Sequence, residues 1–447
     1  MKQNFSKKAI YIIMSILIVS AVSLLLYRYF FIHYDKPEYP DYDYEGDPLV
    51  IPSGGILPSI YIETEAADIT KEEYIPTNIT IKDQNNTIIT DVLPGKVKGR
   101  GNSTWKYLGN KKPYKIKFEK KQNLFSMGNC KSYVLLSNQL DTTLIRNELA
   151  FYLASGLGLE YTPKYQQVHL YMNNKYMGVY LLCQQIDTGS AGIDIETKDG
   201  NSITNNVDVG YFLEFGGAVN HKDFVLHPVK DSTYNWSDIF AAEIKYPDEQ
   251  EITTTRLAYI SQYMEQLNSA ILLKSWDKIN ELADIDSIVN YFLVYEILLN
   301  GDMGWSTYLY KPAGQKIHFG PVWDFDQSSG SSTFGSTAVK GFDVPTGSNN
   351  RWFLSLIEIP EFMNLLTERY NEMYDFIHSI PERIDYLSDY YKYDFSFNFI
   401  RWDILGKNRW RIPDELINLN TYEENIQYLK SWITARISWL DSVLKTT

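Results

Sequence analysis

The order in which two hydrophobic periodicities follow each other constrains the fold of this chain more than any single motif. Between residues 57 and 215, short runs of alternating apolar and polar residues are separated by turn residues, which predicts β-strands. After Asp248, apolar residues recur at helical spacing, and the last such stretch covers 422–444. We therefore expect an α+β fold, with a β-rich lobe at about 57–215 and a mainly helical lobe at about 250–445. A length of 447 residues is long for one ordinary core and agrees with two lobes.

The individual elements are predicted from the same patterns. Strands are predicted at 59–64, 77–82, 95–99, 114–118, 133–137, 167–172, 176–184, 210–215, 307–311 and 316–322. Helices are predicted at 142–157, 251–274, 285–299, 358–380 and 422–444. We expect a hairpin around Asn173 and Asn174, because two adjacent asparagines between strand patterns suit a tight turn.

The first segment of the chain predicts a membrane anchor. Residues 9–27 form an uncharged apolar stretch of nineteen residues that is preceded by three lysines, and this length can span the hydrocarbon core of a bilayer. The positive-inside rule places residues 1–8 in the cytoplasm, so we expect a single-pass membrane protein whose bulk is extracellular. A cleaved signal peptide is the alternative. Residues 28–56, rich in Pro, Tyr and Asp, read as an extended linker.

Charge and cysteine content exclude several classes of function. The net charge of −13 argues against nucleic acid as a main partner, because phosphate backbones are bound by basic surfaces. The two cysteines, Cys130 and Cys183, cannot form a disulfide framework or a zinc site alone. Six scattered histidines show no metal-ligand spacing.

Two carboxylates after a strand-like run are the strongest chemical signal. Asp324 and Asp326 follow the predicted strand 316–322, and Asp302 lies about twenty residues upstream. On extended backbone, residues at i and i+2 share one face, so we expect Asp324 and Asp326 to point the same way. Mg²⁺ and Mn²⁺ prefer oxygen ligands, and metal sites of this type commonly serve phosphoryl transfer. The alternative is a solvated acidic turn.

A glycine-flanked arginine followed by a basic strand is the second signal. Arg100 lies between two glycines and is followed by Asn102 and Ser103, so this turn can present backbone N–H groups and a guanidinium to a phosphate. In the next predicted strand, Lys115 and Lys117 share one face. The alternative is a tight turn beside an exposed basic strand edge.

A third segment leads into the first predicted helix. Asp141 or Thr142 can cap this helix, and Arg146 and Glu148 could pair with distant groups. Taken alone, the segment reads as an ordinary surface helix.

Together, these motifs resemble the CotH kinase family, which is named for a spore coat protein. The matching segments are 99–105, 112–118, 141–147, 176–182 and 321–326, with an opening segment at 57–64 and a closing one at 429–441. Their order and approximate spacing match over about 57–445. The resemblance implies an atypical protein-kinase-like, two-lobed fold that binds ATP with Mg²⁺ or Mn²⁺. It also implies transfer of the γ-phosphoryl group to Ser or Thr of a protein substrate.

The resemblance implies a role for each acid of the motif. Asp324 would be the metal-binding acid. Asp302 would be the catalytic or second metal-linked acid. Asp326 would be a further catalytic acid that supports the metal or orients its neighbours. Catalysis would consist of positioning and charge neutralisation around the transferred phosphoryl group.

The resemblance also implies which residues bind the nucleotide. Lys112 or Lys117 would contact the phosphates. Arg100, with Asn102 and Ser103, would shape the nucleotide-binding turn.

Three positions depart from the family pattern. Many members have Glu-Gln-Ile where this chain has Gln184-Gln185-Ile186, and an arginine where it has Gly192. Some have an asparagine near the position of Ser306, whose hydroxyl is a poorer metal ligand. These departures keep a second hypothesis open, a kinase-like surface or coat scaffold without catalysis. A metal-dependent phosphoester hydrolase that uses the same acids is the third.

Overall fold

The structure is a computed structural model that describes most of the chain after Asp43. It covers residues 44–446 apart from 67, 108, 190, 196–206, 217–223, 228, 230–239, 302–305, 334–336 and 343–350. The predicted anchor at 9–27 therefore lies outside the described residues, and so does Asp302. Within the described residues, no helix combines the length and the apolar character that crossing a bilayer requires.

Seven strands close into a barrel in the order β1-β2-β3-β4-β5-β7-β6. Their bounds are β1 Ser59–Glu63, β2 Ile75–Lys82, β3 Leu93–Gly99, β4 Tyr114–Gln122, β5 Cys130–Leu136, β6 Tyr165–Met172 and β7 Lys175–Gln184. Neighbouring strands run antiparallel except β1 and β6, which pair in parallel and close the barrel with Ser59 opposite His169. Every strand predicted for this region is confirmed, including the hairpin of β6 and β7.

Alternating residues of the barrel strands fill its interior. Ile60, Val97, Ile116 and Leu135 are fully buried in one hydrophobic cluster, joined by Tyr180. Side chains alternate between the two faces of a strand, so the intervening positions point outwards. This outer face carries the lysines of β4 and, on β5 and β7, apolar residues that pack on the rest of the molecule.

A second sheet of five antiparallel strands lies after the barrel in sequence. Its strand order is β12-β11-β8-β10-β9, with β8 Tyr211–Phe215, β9 Phe224–Leu226, β10 Phe240–Tyr246, β11 Thr307–Lys311 and β12 His318–Phe319. The predicted strand 316–322 is wrong in length, because pairing ends at Phe319 and Pro321 has no N–H to continue the ladder. Strands β9 and β10 were not predicted. Strand β9 has only three residues, which is too short to show a periodicity.

The helices lie mainly in the second half of the chain, although the first two precede it. Their bounds are α1 Ser103–Tyr107, α2 Arg146–Gly156, α3 Thr254–Leu272, α4 Trp276–Leu282, α5 Ile285–Leu298, α6 Arg351–Leu356, α7 Pro360–Glu372, α8 Tyr374–His378, α9 Ile380–Arg401, α10 Asp414–Ile417 and α11 Tyr422–Leu444. The predicted helix 358–380 is wrong in extent, because it is divided into α7 and α8. Helix α9 was missed, since exposed aromatic residues such as Tyr386 and Tyr390 obscure its apolar stripe.

One hydrophobic cluster connects the sheet, the helices and the outer face of the barrel. It contains Leu149 of α2, Phe292 of α5 and Leu309 of β11, together with the barrel residues Val134 and Leu181. The mixed α+β class is therefore confirmed. The division into two kinase-like lobes stays a prediction, because this core runs without interruption from the barrel into the helices.

Candidate functional site

A charged cavity of about 570 Å³ lies beside the turn after β3 and the acidic segment after β12. Its basic side chains are Lys71, Lys98, Arg100, Lys115 and Arg411, and its acidic ones are Glu214, Asp324 and Asp326. Asn102, Ser103 and Ser306 also line it. Five of the residues predicted from sequence, namely Arg100, Asn102, Ser103, Asp324 and Asp326, therefore come together here.

Glycine is required on both sides of Arg100. A Cβ on Gly99 would lie 2.3 Å from the ring of Trp105. Gly101 has φ +80°, and a Cβ there would lie 2.6 Å from the hydroxyl of Thr104. Any larger residue would therefore clash or be strained, so the two glycines fix the turn that carries Arg100 to the cavity.

Arg100 is held by stacking rather than by an ion pair. Its guanidinium carbon lies 5.5 Å from the ring centroid of Trp323, and its backbone N–H donates to the carbonyl of Pro113 at 3.1 Å. Among the described residues, no carboxylate forms an ion pair with Arg100. Its charge therefore acts on the cavity and on any anion that enters it.

Asn102 and Ser103 line the same turn. The side-chain carbonyl of Asn102 accepts a hydrogen bond from the Lys71 ammonium at 3.2 Å. Ser103 is the first residue of α1. This arrangement brings a lysine from outside the predicted motif, Lys71, to the cavity.

The lysine of β4 that lines the cavity is Lys115, not the predicted Lys112 or Lys117. The Lys112 ammonium donates to the carbonyl of Trp105 and lies 5.5 Å from the ring centroid of that residue. Lys117 is exposed. Burial lowers the pKa of Lys115 to about 8, although the nearby negative charge of Asp187 acts to raise it.

Asp324 does not continue an extended strand. Its φ of +67° lies in the left-handed region, so the predicted backbone for the two acids is wrong. Asp324 and Asp326 nevertheless both line the cavity, while Phe325 between them is fully buried against Tyr295, with ring centroids 4.8 Å apart.

The Asp324 carboxylate occupies an environment that favours a counter-charge. Burial raises its pKa, the Arg100 guanidinium opposes this shift, and the Glu214 carboxylate adds to it. Within the part of the chain that the structure describes, this carboxylate has no hydrogen bond or ion pair. A divalent cation suits such a group, because it replaces the lost solvation of the carboxylate oxygens.

Glu214 is the acid of the cavity that sequence reasoning missed. It lies on β8, forms an ion pair with Lys245 at 3.1 Å and accepts a hydrogen bond from the Tyr308 hydroxyl at 3.0 Å. The available signal was a single carboxylate in the apolar strand Tyr211–Phe215. A charged residue inside such a run is costly unless it has a partner or a function.

The metal ligands are not complete among the described residues. Among the residues that the structure describes, no group of three or more His, Cys, Asp or Glu side chains is close enough together to hold a metal ion. The predicted ligand and catalytic acid Asp302 lies outside the described residues. Asp324 is thus the one predicted metal ligand that lies among the described residues.

Two buried elements hold the segment that follows Asp324. The Arg146 guanidinium of α2 forms an ion pair with Asp141, and its Nε donates to the carbonyl of Ser328 at 3.0 Å. The backbone N–H of Ser329 donates to the carbonyl of Leu298, the last residue of α5, at 2.7 Å. The start of α2 is therefore not a surface helix, since Arg146 is 1% exposed.

Gln184 has a structural role that a glutamate could not fill. Its side-chain amide donates to the carbonyls of Met127 at 2.7 Å and Ala191 at 2.8 Å. Its side-chain oxygen accepts from the backbone N–H of Lys164 at 2.9 Å. A carboxylate has no N–H to donate, so the glutamine belongs to the local loop geometry of this chain.

The second departure, Gly192, belongs to the same loop. A Cβ on Gly192 would lie 2.3 Å from the carbonyl oxygen of Asp187, so an arginine cannot replace it without a backbone shift. The negative charge of Asp187 raises the pKa of Lys115 and so partly offsets the effect of burial. The loss of a glutamate at Gln184 therefore does not leave Lys115 without a nearby acid.

A comparison with known families identifies the family of this chain. A family model described as CotH kinase protein matches residues 97–440, which is most of the chain. The chain belongs to the CotH kinase family. The family that its motifs resemble is thus confirmed, and a kinase-like protein is the activity class that membership indicates. A comparison with curated proteins finds no match.

The match places the charged cavity of this CotH protein almost wholly inside the family region. Arg100, Lys115, Glu214 and Asp324 all lie between residues 97 and 440. Lys71, which also lines the cavity, precedes the matched region.

Proposed function

We propose that this CotH protein is an ATP-dependent protein kinase that transfers the γ-phosphoryl group to Ser or Thr with Mg²⁺ or Mn²⁺. The observation that carries the proposal is the convergence of Arg100, Lys115 and Asp324 on one cavity. Phosphoryl transfer needs cationic groups for the phosphates and an acid for the metal, and these three side chains supply both.

The charge balance of the cavity supports a metal–triphosphate complex as its ligand. Five basic and three acidic side chains line it, a difference of two positive charges. A nucleoside triphosphate with one divalent metal is negatively charged and would be attracted by this surplus. A free metal ion would instead meet repulsion from the basic side chains.

Each residue of the cavity would have a role in phosphoryl transfer that follows from its chemistry. Asp324 would hold the metal, with Asp326 and Asp302 as the further acids, and a bound metal would supply positive charge that neutralises the phosphates. Arg100 would bind a phosphate through the N–H donors of its guanidinium. Lys115, in place of Lys112 or Lys117, would supply a positive charge. Asn102 and Ser103 would line the turn around the phosphates.

Ser306 favours one alternative, a kinase-like scaffold without catalysis. It lines the cavity where some family members have an asparagine, and its hydroxyl is the weaker metal ligand. A scaffold of this kind would bind nucleotide weakly or not at all.

We also propose that residues 9–27 anchor the protein in a membrane, with the kinase domain outside. The support is the length and apolar character of this stretch and the lysines before it. Protease added outside intact cells that express the full chain should degrade the kinase domain. Complete protection from the protease would contradict this orientation.

Phosphotransfer by the full chain tests the kinase proposal. We would measure transfer from labelled ATP to a Ser/Thr peptide pool with Mg²⁺ or Mn²⁺, for the wild type and for Asp324→Asn. We expect the substitution to lower transfer by about 100-fold or more, because it removes the charge that holds the metal. Asp403→Asn is the matched control, since Asp403 is an exposed carboxylate that pairs with Lys407.

The two possible failures have different meanings. Transfer that persists in Asp324→Asn would contradict the metal role of Asp324. A wild type that neither binds nucleotide nor transfers phosphate would favour the scaffold.

A further inference from the structure

The peptide group between Asp324 and Phe325 is held at both ends by buried asparagine side chains. The amide of Asn300 donates to the carbonyl of Asp324 at 3.0 Å. The backbone N–H of Phe325 donates to the side-chain oxygen of Asn147 at 2.8 Å. Asn300 is 0% exposed and Asn147 is 2% exposed, so water cannot easily replace either bond.

The two asparagines come from different elements. Asn147 is the second residue of α2, and Asn300 follows the end of α5. The amide nitrogen of Asn147 donates to the side-chain oxygen of Asn138 at 3.0 Å, and the Asn138 amide donates to the carbonyl of Leu144. This chain of bonds fixes which end of the Asn147 amide faces Phe325.

The conformation of Asp324 explains why these two hydrogen bonds are needed. A φ of +67° is strained for a residue with a Cβ, so it persists only where the surroundings hold it. Fixing the peptide plane after Asp324 sets its ψ and the φ of Phe325. The result is that Asp324 faces the charged cavity while Phe325 packs into the core.

We infer that Asn147 and Asn300 are positioning residues that hold the Asp324 carboxylate in the orientation required to bind a metal–nucleotide complex. This inference rests on the proposed function. Neither asparagine lines the charged cavity, so each acts through the backbone of Asp324 and not on the ligand.

The two bonds run in opposite directions, which gives a sharp pair of variants. Asn147 accepts a hydrogen bond, and an aspartate in its place can still accept. Asn300 donates one, and an aspartate in its place cannot. Asn147→Asp and Asn300→Asp each add one carboxylate near Asp324, so the added charge is matched, and only Asn147→Asp keeps its bond to the Asp324–Phe325 peptide. Asn147→Asp also loses the bond that Asn147 donates to Asn138, which does not touch Asp324.

The experiment uses the full chain and measures the affinity for ATP with and without Mn²⁺. We expect Asn147→Ala and Asn300→Ala to weaken Mn²⁺-dependent binding by about 10-fold or more, the usual effect of losing a group that orients a metal ligand. Binding of ATP without Mn²⁺, which depends on Arg100 and Lys115, should stay within about twofold. Asn300→Asp should lose more Mn²⁺-dependent affinity than Asn147→Asp.

A buried asparagine far from the cavity is the matched control. Asn268 is 0% exposed, accepts a hydrogen bond from the indole of Trp352 at 2.8 Å and donates to the carbonyl of His227. Asn268→Ala should lower the melting temperature as the other alanine variants do. It should leave the Mn²⁺ dependence of ATP binding unchanged.

Three results would overturn the inference. The first is unchanged Mn²⁺-dependent affinity in both Asn147→Ala and Asn300→Ala beside a wild type that binds. The second is an equal loss in Asn268→Ala, which would indicate general destabilisation. The third is a wild type that binds no nucleotide with Mn²⁺ or Mg²⁺, in which case the proposed function fails and the inference fails with it.

Discussion

At the scale of single residues, the charged cavity contains two groups whose ionisation is shifted by burial, Asp324 and Lys115. Burial raises the pKa of Asp324 and lowers that of Lys115, and Arg100 takes part in both environments. Asp324 and Lys115 are therefore each less charged without a ligand than they would be in water. A metal at Asp324 and phosphates at Lys115 would restore the charged forms, so ligand binding and protonation are coupled.

Lys115 should make ATP binding depend on pH near pH 8. Burial lowers the pKa of its ammonium to about 8, so the side chain is charged below that pH and neutral above it. Its attraction for phosphate is present below about pH 8 and is lost as the pH rises, so ATP affinity should fall between about pH 7 and pH 9. In Lys115→Arg this fall should disappear, because a guanidinium stays protonated throughout. The measurement is the dissociation constant for ATP across that range.

A neighbouring lysine gives the control for that prediction. Lys117 lies on the same face of β4 but is exposed and does not line the cavity. Lys117→Ala should keep the wild-type pH dependence. If instead Lys117→Ala removes it and Lys115→Arg keeps it, Lys115 is not the phosphate-binding lysine.

Much of the site could be predicted from sequence, and the errors have physical causes. Arg100 and Asp324 are marked by local patterns, a glycine-flanked turn and closely spaced acids, and both reach the cavity. Lys115 and Lys117 share a face, so a period of two cannot tell which of them lies near the cavity. Glu214 was missed because its role depends on the pairing of β8 with β11, which has no local signature.

At the scale of elements, α9 ties the segment before β1 to the barrel. Asp394 accepts a hydrogen bond from the backbone N–H of Ile56 at 3.0 Å, and its carboxylate lies 2.8 Å from the ring nitrogen of His169 on β6. At the end of the helix, Arg401 forms an ion pair with Glu45 at 3.1 Å. The described part of the predicted linker thus packs against the domain.

A fragment that begins at Leu57 should be less stable than one that begins at Tyr44. It loses the ion pair of Glu45 with Arg401 and the hydrogen bond from Ile56, and it leaves buried charges with fewer partners. We expect the free energy of unfolding to fall by about 2–4 kcal/mol, measured by chemical denaturation.

An exposed ion pair between α9 and α11 is the control for the truncation. Lys392 pairs with Glu423 at 2.6 Å, and both side chains are more than half exposed. Lys392→Ala in the longer fragment should change the stability little, because exposed pairs contribute little. Equal stability of the two fragments would mean that the segment before Leu57 does not hold the fold together.

At the scale of the whole molecule, the class of fold follows from sequence but its closure does not. Alternating and helical periodicities predict the α+β class, and most strands of the barrel are found within a few residues of their predicted bounds. The parallel pairing of β1 with β6 joins segments about a hundred residues apart, so no local pattern contains it. The continuous core has the same origin, because it depends on which faces meet after folding.

A crystal structure of the full chain with Mn²⁺ and an ATP analogue tests the central claim most directly. The anomalous signal of manganese locates the metal independently of the protein atoms. The account predicts a manganese ion bound to the Asp324 carboxylate, with phosphates beside Arg100 and Lys115. A metal and nucleotide bound elsewhere, with Asp324 unliganded, would contradict it.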